Sequence, residues 1–286
     1  MEGIMVRHPA NPVLSADRIP YPATLIFNAG VAKYQGRYVM VFRNDYGGQP
    51  GTTGFKGTNI GVAYSSDGIV WEPRSKPWIE WKTEEIRRAY DPRITVIDNR
   101  CYLCFAVDTR HGIRGGIAVS DDLDRWEVLS LSAPDNRNMV LFPEKVNGKF
   151  LRLERPFPVY GRGGPENFDL WYSDSPDGVY WGNTNLVLGS ELVPWANAKV
   201  GPGAPPVKTR AGWQAAIVAR SRRPNGQGWS SAFRRQLQRA LASGLLFARA
   251  PGAEASRQLP RKRGTLTGDD VSVGATHRTP HVRNIG

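Results

Sequence analysis

Few side chains in this sequence have the type and spacing for chemistry. Asp91, in Tyr90-Asp91-Pro92-Arg93, stands at the start of a predicted strand and just before a proline. A carboxyl there can move a proton; a turn or capping aspartate before proline is the plain alternative. Arg155, in LRLERPF (151–157), follows an apolar strand, where an idle charge is costly. Asp45 and Asp108 read as turn or solvent carboxylates. Cys101 and Cys104 have CxxC spacing, but CYLCFAV reads as a strand, so two small core or edge residues are expected. His111 is alone in a Gly-rich loop and reads as structural or solvated. Gly201 and Gly203 lack the following helix that a nucleotide loop needs. No metal-ligand cluster stands out, and no metal is expected.

The elements that must position these residues show as repeats. GVAYSSDGIVWEP (61–73), GIAVSDDLDRWEV (116–128) and DLWYSDSPDGVYWGN (169–183) share an apolar alternating stretch, a Ser/Asp turn and a Trp. Their starts lie about 54 residues apart. Between them run strand–turn–strand units at 25–43, 90–108, 139–156 and 201–220, with hairpin signals at Gln35-Gly36, Asp98-Asn99, Asn147-Gly148 and Ala211-Gly212. Four short strands per repeat is the pattern of a β-propeller blade, which must pack against neighbours to bury its faces. An all-β sandwich is the rival. Helical periodicity is confined to a short candidate near Thr83–Arg88.

The chain has two compositions that meet near Trp213. Of 286 residues and a net charge of +12, positions 214–286 carry 13 Lys and Arg against 3 Asp and Glu. All ten Tyr and eight of nine Trp lie at or before Trp213. Residues 1–213 are therefore expected to form the propeller blades. Residues 214–286 are expected to be a basic, atypical region, partly disordered or a degraded end of the blades, with a short amphipathic helix in RRQLQRALASGLLF. Its cations lack interleaved aromatics, so no nucleic-acid partner is expected. No apolar run reaches the roughly 20 residues of a membrane helix, so no membrane partner is expected. The N-terminus shows no secretory h-region, and two cysteines do not make a disulfide scaffold; a cytoplasmic location is the expectation.

FNAG (27–30), VFRND (41–45), YDPRIT (90–95), NRNMVLFPEKVNGKFLRLERP (136–156) and ANAKVGPGAPPVKTRAGW (196–213) are collinear. Together they resemble glycoside hydrolase family 130, the β-mannoside phosphorylases and related mannosidases. The resemblance implies an all-β, five-bladed β-propeller, here with its last blade incomplete or altered after about residue 213. It implies inverting phosphorolysis of β-mannosides, β-1,4-linked oligosaccharides among them, to α-mannose 1-phosphate. Asp91 matches the catalytic acid, whose proton passes through the mannose 3-hydroxyl. Arg137, Arg155 and Lys199 match the phosphate-binding cations, and Asn28 and Arg43 match mannose ligands. The partners implied are a β-mannoside oligosaccharide and inorganic phosphate as co-substrate, with no cofactor; a homo-oligomer is compatible with it. Tyr90, Tyr160 and Trp195 are candidate sugar platforms or blade-core residues. A β-mannosidase and an inactive sugar-binding propeller are the alternatives. The second draws on a departure: family members follow GW with a strand ending in an aromatic–His pair, whereas this chain has no His between His111 and His277.

Overall fold

The computed structural model describes residues 8–51, 54–157, 167–193, 198–210 and 212–220, with the backbone of one further strand at 245–246. These belong to a contact unit spanning Met1–Ala250; a second unit, Pro251–Gly286, lies outside the described residues.

Four antiparallel sheets follow one another along the chain. The first holds β1 (Leu25–Tyr34), β2 (Arg37–Tyr46), β3 (Gly57–Ser65) and β4 (Glu72–Pro73) in that order. The second holds β5 (Ile86–Ile97), β6 (Arg100–Thr109), β7 (Gly112–Ser120) and β8 (Glu127–Leu131). The third holds β9 (Asn136–Leu141), β10 (Phe150–Pro156), β11 (Leu170–Ser175) and β12 (Gly182–Leu188). The fourth joins β13 (Lys199–Pro202), β14 (Val207–Thr209), β15 (Gly212–Arg220) and β16 (Leu245–Leu246). β13 pairs Ile217–Arg220 and β14 pairs Gly212–Gln214 of the same strand, β15. The Gly203 N–H bonds the Ala216 carbonyl between them, so β13 and β14 act as one strand interrupted by Ala204-Pro205-Pro206. Prolines supply no N–H for an unbroken ladder.

Turn chemistry sets the hairpins. Gln35 and Gly36 both have positive φ, as do Asp98 and Asn99, and Asn147 and Gly148. That is the backbone of a type I′ turn, whose twist matches the strands it joins. The Ser/Asp repeats close the outer loops in one way. Ser65 Oγ accepts from Gly68 N–H, Asp67 Oδ1 accepts from Ile69 and Val70 N–H, and the Trp71 indole donates to the Gly68 carbonyl. Ser120, Asp122 and Trp126 repeat this, as do Ser175, Asp177 and Trp181.

The second and third sheets are apolar on both faces because each packs between two neighbours, and the N-terminal segment covers the outer face of the first. In β2, Val39 and Val41 enter a core shared with Ile94, Leu103 and Val107 of the second sheet, while Met40 and Phe42 pack under Leu14 and Ile19 of the N-terminal segment. A second inter-sheet core joins Tyr102, Ile117 and Val119 to Met139, Leu141 and Phe150. A third joins Val140, Leu153 and Leu170 to Val200 and Ala215. The first strands contact in series, β1 with β5, β5 with β9, β9 with β13. This is a β-propeller arrangement with the first strands innermost.

Three expectations change. Four sheets are present among the described residues, not five, and the fourth continues through β15 to Arg220, past Trp213. The physical reason is legible: alternation persists through Ala215, Ile217 and Ala219 and is lost in the Arg-rich run that follows. The segment near Thr83–Arg88 is not a helix, since β5 begins at Ile86 and pairs β6 from Thr109 onward. Of 221–286 only Leu245–Leu246 are described, and they place the end of the RRQLQRALASGLLF segment in strand β16, paired with Ala215–Ala216, rather than in the expected helix; the rest lies outside the described residues. Cys101 and Cys104 are buried free thiols of β6, each pushed up to about 12 by burial.

Candidate active site

Three inner strands carry the same irregularity. β1 slips register between Phe27 and Gly30, β5 between Tyr90 and Arg93, and β9 against β10 opposite Leu153–Arg155. At each slip one Asx residue has left-handed φ: Asn28 at 51°, Asp91 at 53°, Asn138 at 59°. A bulge bends its strand and re-aims a side chain. Asn and Asp are the non-glycine residues that adopt this conformation most readily.

The bulges bring the predicted residues together. Asn28 Nδ2 donates to Asp91 Oδ1 at 2.6 Å. Arg43 Nη1 lies 3.5 Å from the same oxygen. The rest of the Arg43 guanidinium forks onto Asp45, Nε to Oδ1 at 2.9 Å and Nη2 to Oδ2 at 2.8 Å. Thr58 Oγ1 also donates to Asp45 Oδ1, at 2.6 Å. Asp45 is thus a buried strand residue that aims Arg43, not a turn or solvent carboxylate. Arg43 is further held between the rings of Phe27 and Tyr90, at 4.8 and 4.9 Å. Tyr90 is core, with its hydroxyl on Asp108 Oδ1; Arg88 Nε donates to Asp108 Oδ2, so Asp108 is likewise not an idle surface group. Tyr160 and Trp195 lie outside the described residues.

The three predicted cations form the opposite side. Arg137 of β9 and Arg155 of β10 are cross-strand partners, and Lys199 opens β13. Arg155 is 3% exposed, and its Nη2 donates to Asn138 Oδ1 at 3.3 Å. Its guanidinium stands 5.5 Å from the Phe168 ring, and that of Arg137 stands 5.3 Å from Phe157. Burial and the neighbouring Arg137 charge pull Arg155 down to about 10, while Asp91 opposes the shift. Burial, Arg155 and Arg137 pull Lys199 down to about 8, again against Asp91. The mutual effects place Asp91 and the cations in one electrostatic cluster. The Nε atoms of Arg137 and Arg155 are both buried without a hydrogen-bond partner. Buried donors are almost always satisfied, so two orphans side by side point to an absent acceptor. No group of three His, Cys, Asp or Glu suited to a metal occurs among the described residues.

Asn138 and Arg93 were not singled out from sequence. The signal for Asn138 lay in the register of FNAG, YDPR and RNMV, which places Asn28, Asp91 and Asn138 at one position. Arg93 carries no such mark, because its partners are backbone carbonyls.

The fold and the site define a β-propeller whose axial site sets one carboxylate against three cations. Its relatives are specific. A family model described as beta-1,4-mannooligosaccharide phosphorylase matches residues 3–222, and the chain belongs to that family, glycoside hydrolase family 130. It is 32% identical over 224 residues to the beta-1,4-mannooligosaccharide phosphorylase of Ruminococcus albus, covering 73% of this chain and 62% of that one. It is 32% identical over 193 residues to a 1,2-beta-oligomannan phosphorylase of Thermoanaerobacter, covering 66% and 62%. The chain thus spans about 62% of the length of these curated relatives. In fold it is similar to the beta-1,2-mannobiose phosphorylase of Listeria innocua in complex with beta-1,2-mannobiose, with a TM-score of 0.66, 22% identity and 75% of each chain covered.

Proposed function

We propose that this chain cleaves β-mannosides with inorganic phosphate and inversion, yielding α-mannose 1-phosphate. The observation that carries the reading is the pair of orphaned, buried Nε donors on Arg137 and Arg155 beside Lys199. Phosphate offers several acceptor oxygens and the opposite charge, and guanidinium groups are suited to it.

Phosphorolysis needs one acid. A phosphate oxygen bonds to the anomeric carbon from the face opposite the leaving group. The C1–O bond breaks as Asp91 supplies a proton, through the mannose 3-hydroxyl, to the departing oxygen. Water-based inverting hydrolysis would ask for a second carboxylate as base. Asp45, which shares the Arg43 guanidinium with Asp91, is committed to Arg43 and Thr58. Asn28 and Arg43 hold the mannose in this reading, supported by their contacts to Asp91 Oδ1. Relatives named for β-1,4 and for β-1,2 linkages both match; the β-1,4 reading follows the family description and the Ruminococcus relative. No cofactor beyond co-substrate phosphate enters this scheme.

The test runs the reaction backwards. The purified chain is incubated with α-mannose 1-phosphate and a panel of acceptor sugars, beside Asp91→Asn. Phosphate release that the variant loses supports the reading. No release from folded protein with any acceptor sinks it.

A further inference from the structure

Arg93 lies two residues beyond Asp91 on β5, yet nothing in the proposed chemistry uses it. Its guanidinium makes three bonds, all to backbone carbonyls. Nη1 donates to Asn28 O at 3.0 Å and to Pro92 O at 2.8 Å, and Nε donates to Gly203 O at 2.8 Å. The acceptors come from the first sheet, the second, and the loop that interrupts the first strand of the fourth. Two of them are the backbone of the very bulges that present Asn28 and Asp91. Gly203 is itself tied to β15 through its N–H on Ala216. Bulged residues have left the ladder, so their carbonyls need other donors. A planar guanidinium with several donors can serve three carbonyls at once; an ammonium cannot match that fork.

The approach of β1 to β5 is built for this contact. A Cβ on Gly30 would stand 3.0 Å from Ile94 N and 3.1 Å from Arg93 Cα. Only glycine lets β1 come close enough for Asn28 O to meet the Arg93 side chain. Burial pulls the Arg93 guanidinium below its ordinary value, while the Asp91 charge supports the charged form. The cation is thus kept at an electrostatic cost.

We infer that Arg93 is a positioning residue, whose clamp on the Asn28, Pro92 and Gly203 carbonyls fixes the Asn28–Asp91 pair at the propeller axis. The cations of the phosphate side sit on β9, β10 and β13, and none of the three Arg93 bonds is to their side chains. The activity readout rests on the phosphorylase reading given above.

Arg93→Met and Arg93→Lys are compared with wild type for kcat, KM for phosphate and thermal unfolding. The clamp predicts a fall in kcat of up to about 100-fold in Arg93→Met, as expected for small misplacement of reacting groups. KM for phosphate should stay within about twofold, and Arg93→Lys should recover part of kcat. Unchanged kcat in Arg93→Met overturns the inference. So does a rise in phosphate KM that matches the loss of kcat, or a Lys variant no better than Met. A wild type without phosphate-dependent turnover would overturn the phosphorylase reading instead. The clamp is then judged by the Asn28 side-chain amide signal in a 15N spectrum. That signal should move in Arg93→Met and return toward its wild-type position in Arg93→Lys; a signal unmoved in Arg93→Met refutes the clamp.

Discussion

Asn28 and Asp91 lie 63 residues apart in sequence and on different sheets, yet the amide of one donates to the carboxylate of the other at 2.6 Å. Both sit at left-handed bulge positions of innermost strands. Residues in sparsely populated backbone conformations cluster at functional sites. The bond gives Asp91 a fixed orientation. Replacing Asn28 with alanine should therefore lower kcat/KM roughly 10- to 100-fold, the range of a hydrogen bond to a charged group. Steady-state kinetics against mannooligosaccharide, with unfolding temperature as the control, checks this.

Lys199 gives the pH dependence its sign. Its folded value of about 8 lies below the ordinary lysine value of 10.5. Between these two values the unfolded chain holds the proton that the folded chain has lost, so the fold gains stability as pH rises through that window. Phosphate affinity should run the other way, because Lys199 loses its charge above about pH 8. Measured across that range, kcat/KM for phosphate should fall, and Lys199→Arg should flatten the fall.

Gly30 marks a close approach of β1 to β5, with backbone atoms of Arg93 and Ile94 within about 3 Å of where a Cβ would go. Gly30→Ala should force the strands apart and cost about 1–3 kcal/mol, the usual scale for overpacking. Chemical denaturation measures it. The same variant should lose activity beyond what its stability explains, since Asn28 and Asp91 sit on the two displaced strands.

Much of this was legible in the sequence, and the boundary is physical. The Asx-Gly and Asx-Asx turns, the Ser/Asp–Trp repeats and the strand alternation are local signals, and each hairpin they imply is present. Asp91, Arg137, Arg155, Lys199, Asn28 and Arg43 were reached through collinear motifs and do converge. The roles of Asp45 and Asp108 were not legible. A carboxylate near a strand end looks the same whether it faces water or forks a guanidinium; only cross-strand pairing decides. Arg93 was hidden because three carbonyls from distant segments leave no residue-type signature. The count of five blades came from family resemblance alone, and the described strands carry the pattern only as far as the fourth.

Arg152 and Glu154 form a buried ion pair at 2.9 Å just before Arg155. Asn136 donates to the same Glu154 oxygen at 2.7 Å, and Arg152 Nε donates to Ser173 Oγ at 2.9 Å. Glu154→Leu strands a buried guanidinium and should cost about 3–5 kcal/mol. The double variant Arg152→Met/Glu154→Leu should recover much of that loss. Denaturation of both variants tests the coupling.

In the proposed reaction the Arg137–Arg155–Lys199 cluster holds phosphate as the nucleophile. The most direct measurement follows β-1,4-mannobiose and β-1,2-mannobiose with and without inorganic phosphate, with products identified. α-Mannose 1-phosphate should form from at least one substrate, only when phosphate is present, and should be lost in an Arg155→Met variant that remains folded. Free mannose released at the same rate without phosphate would contradict it.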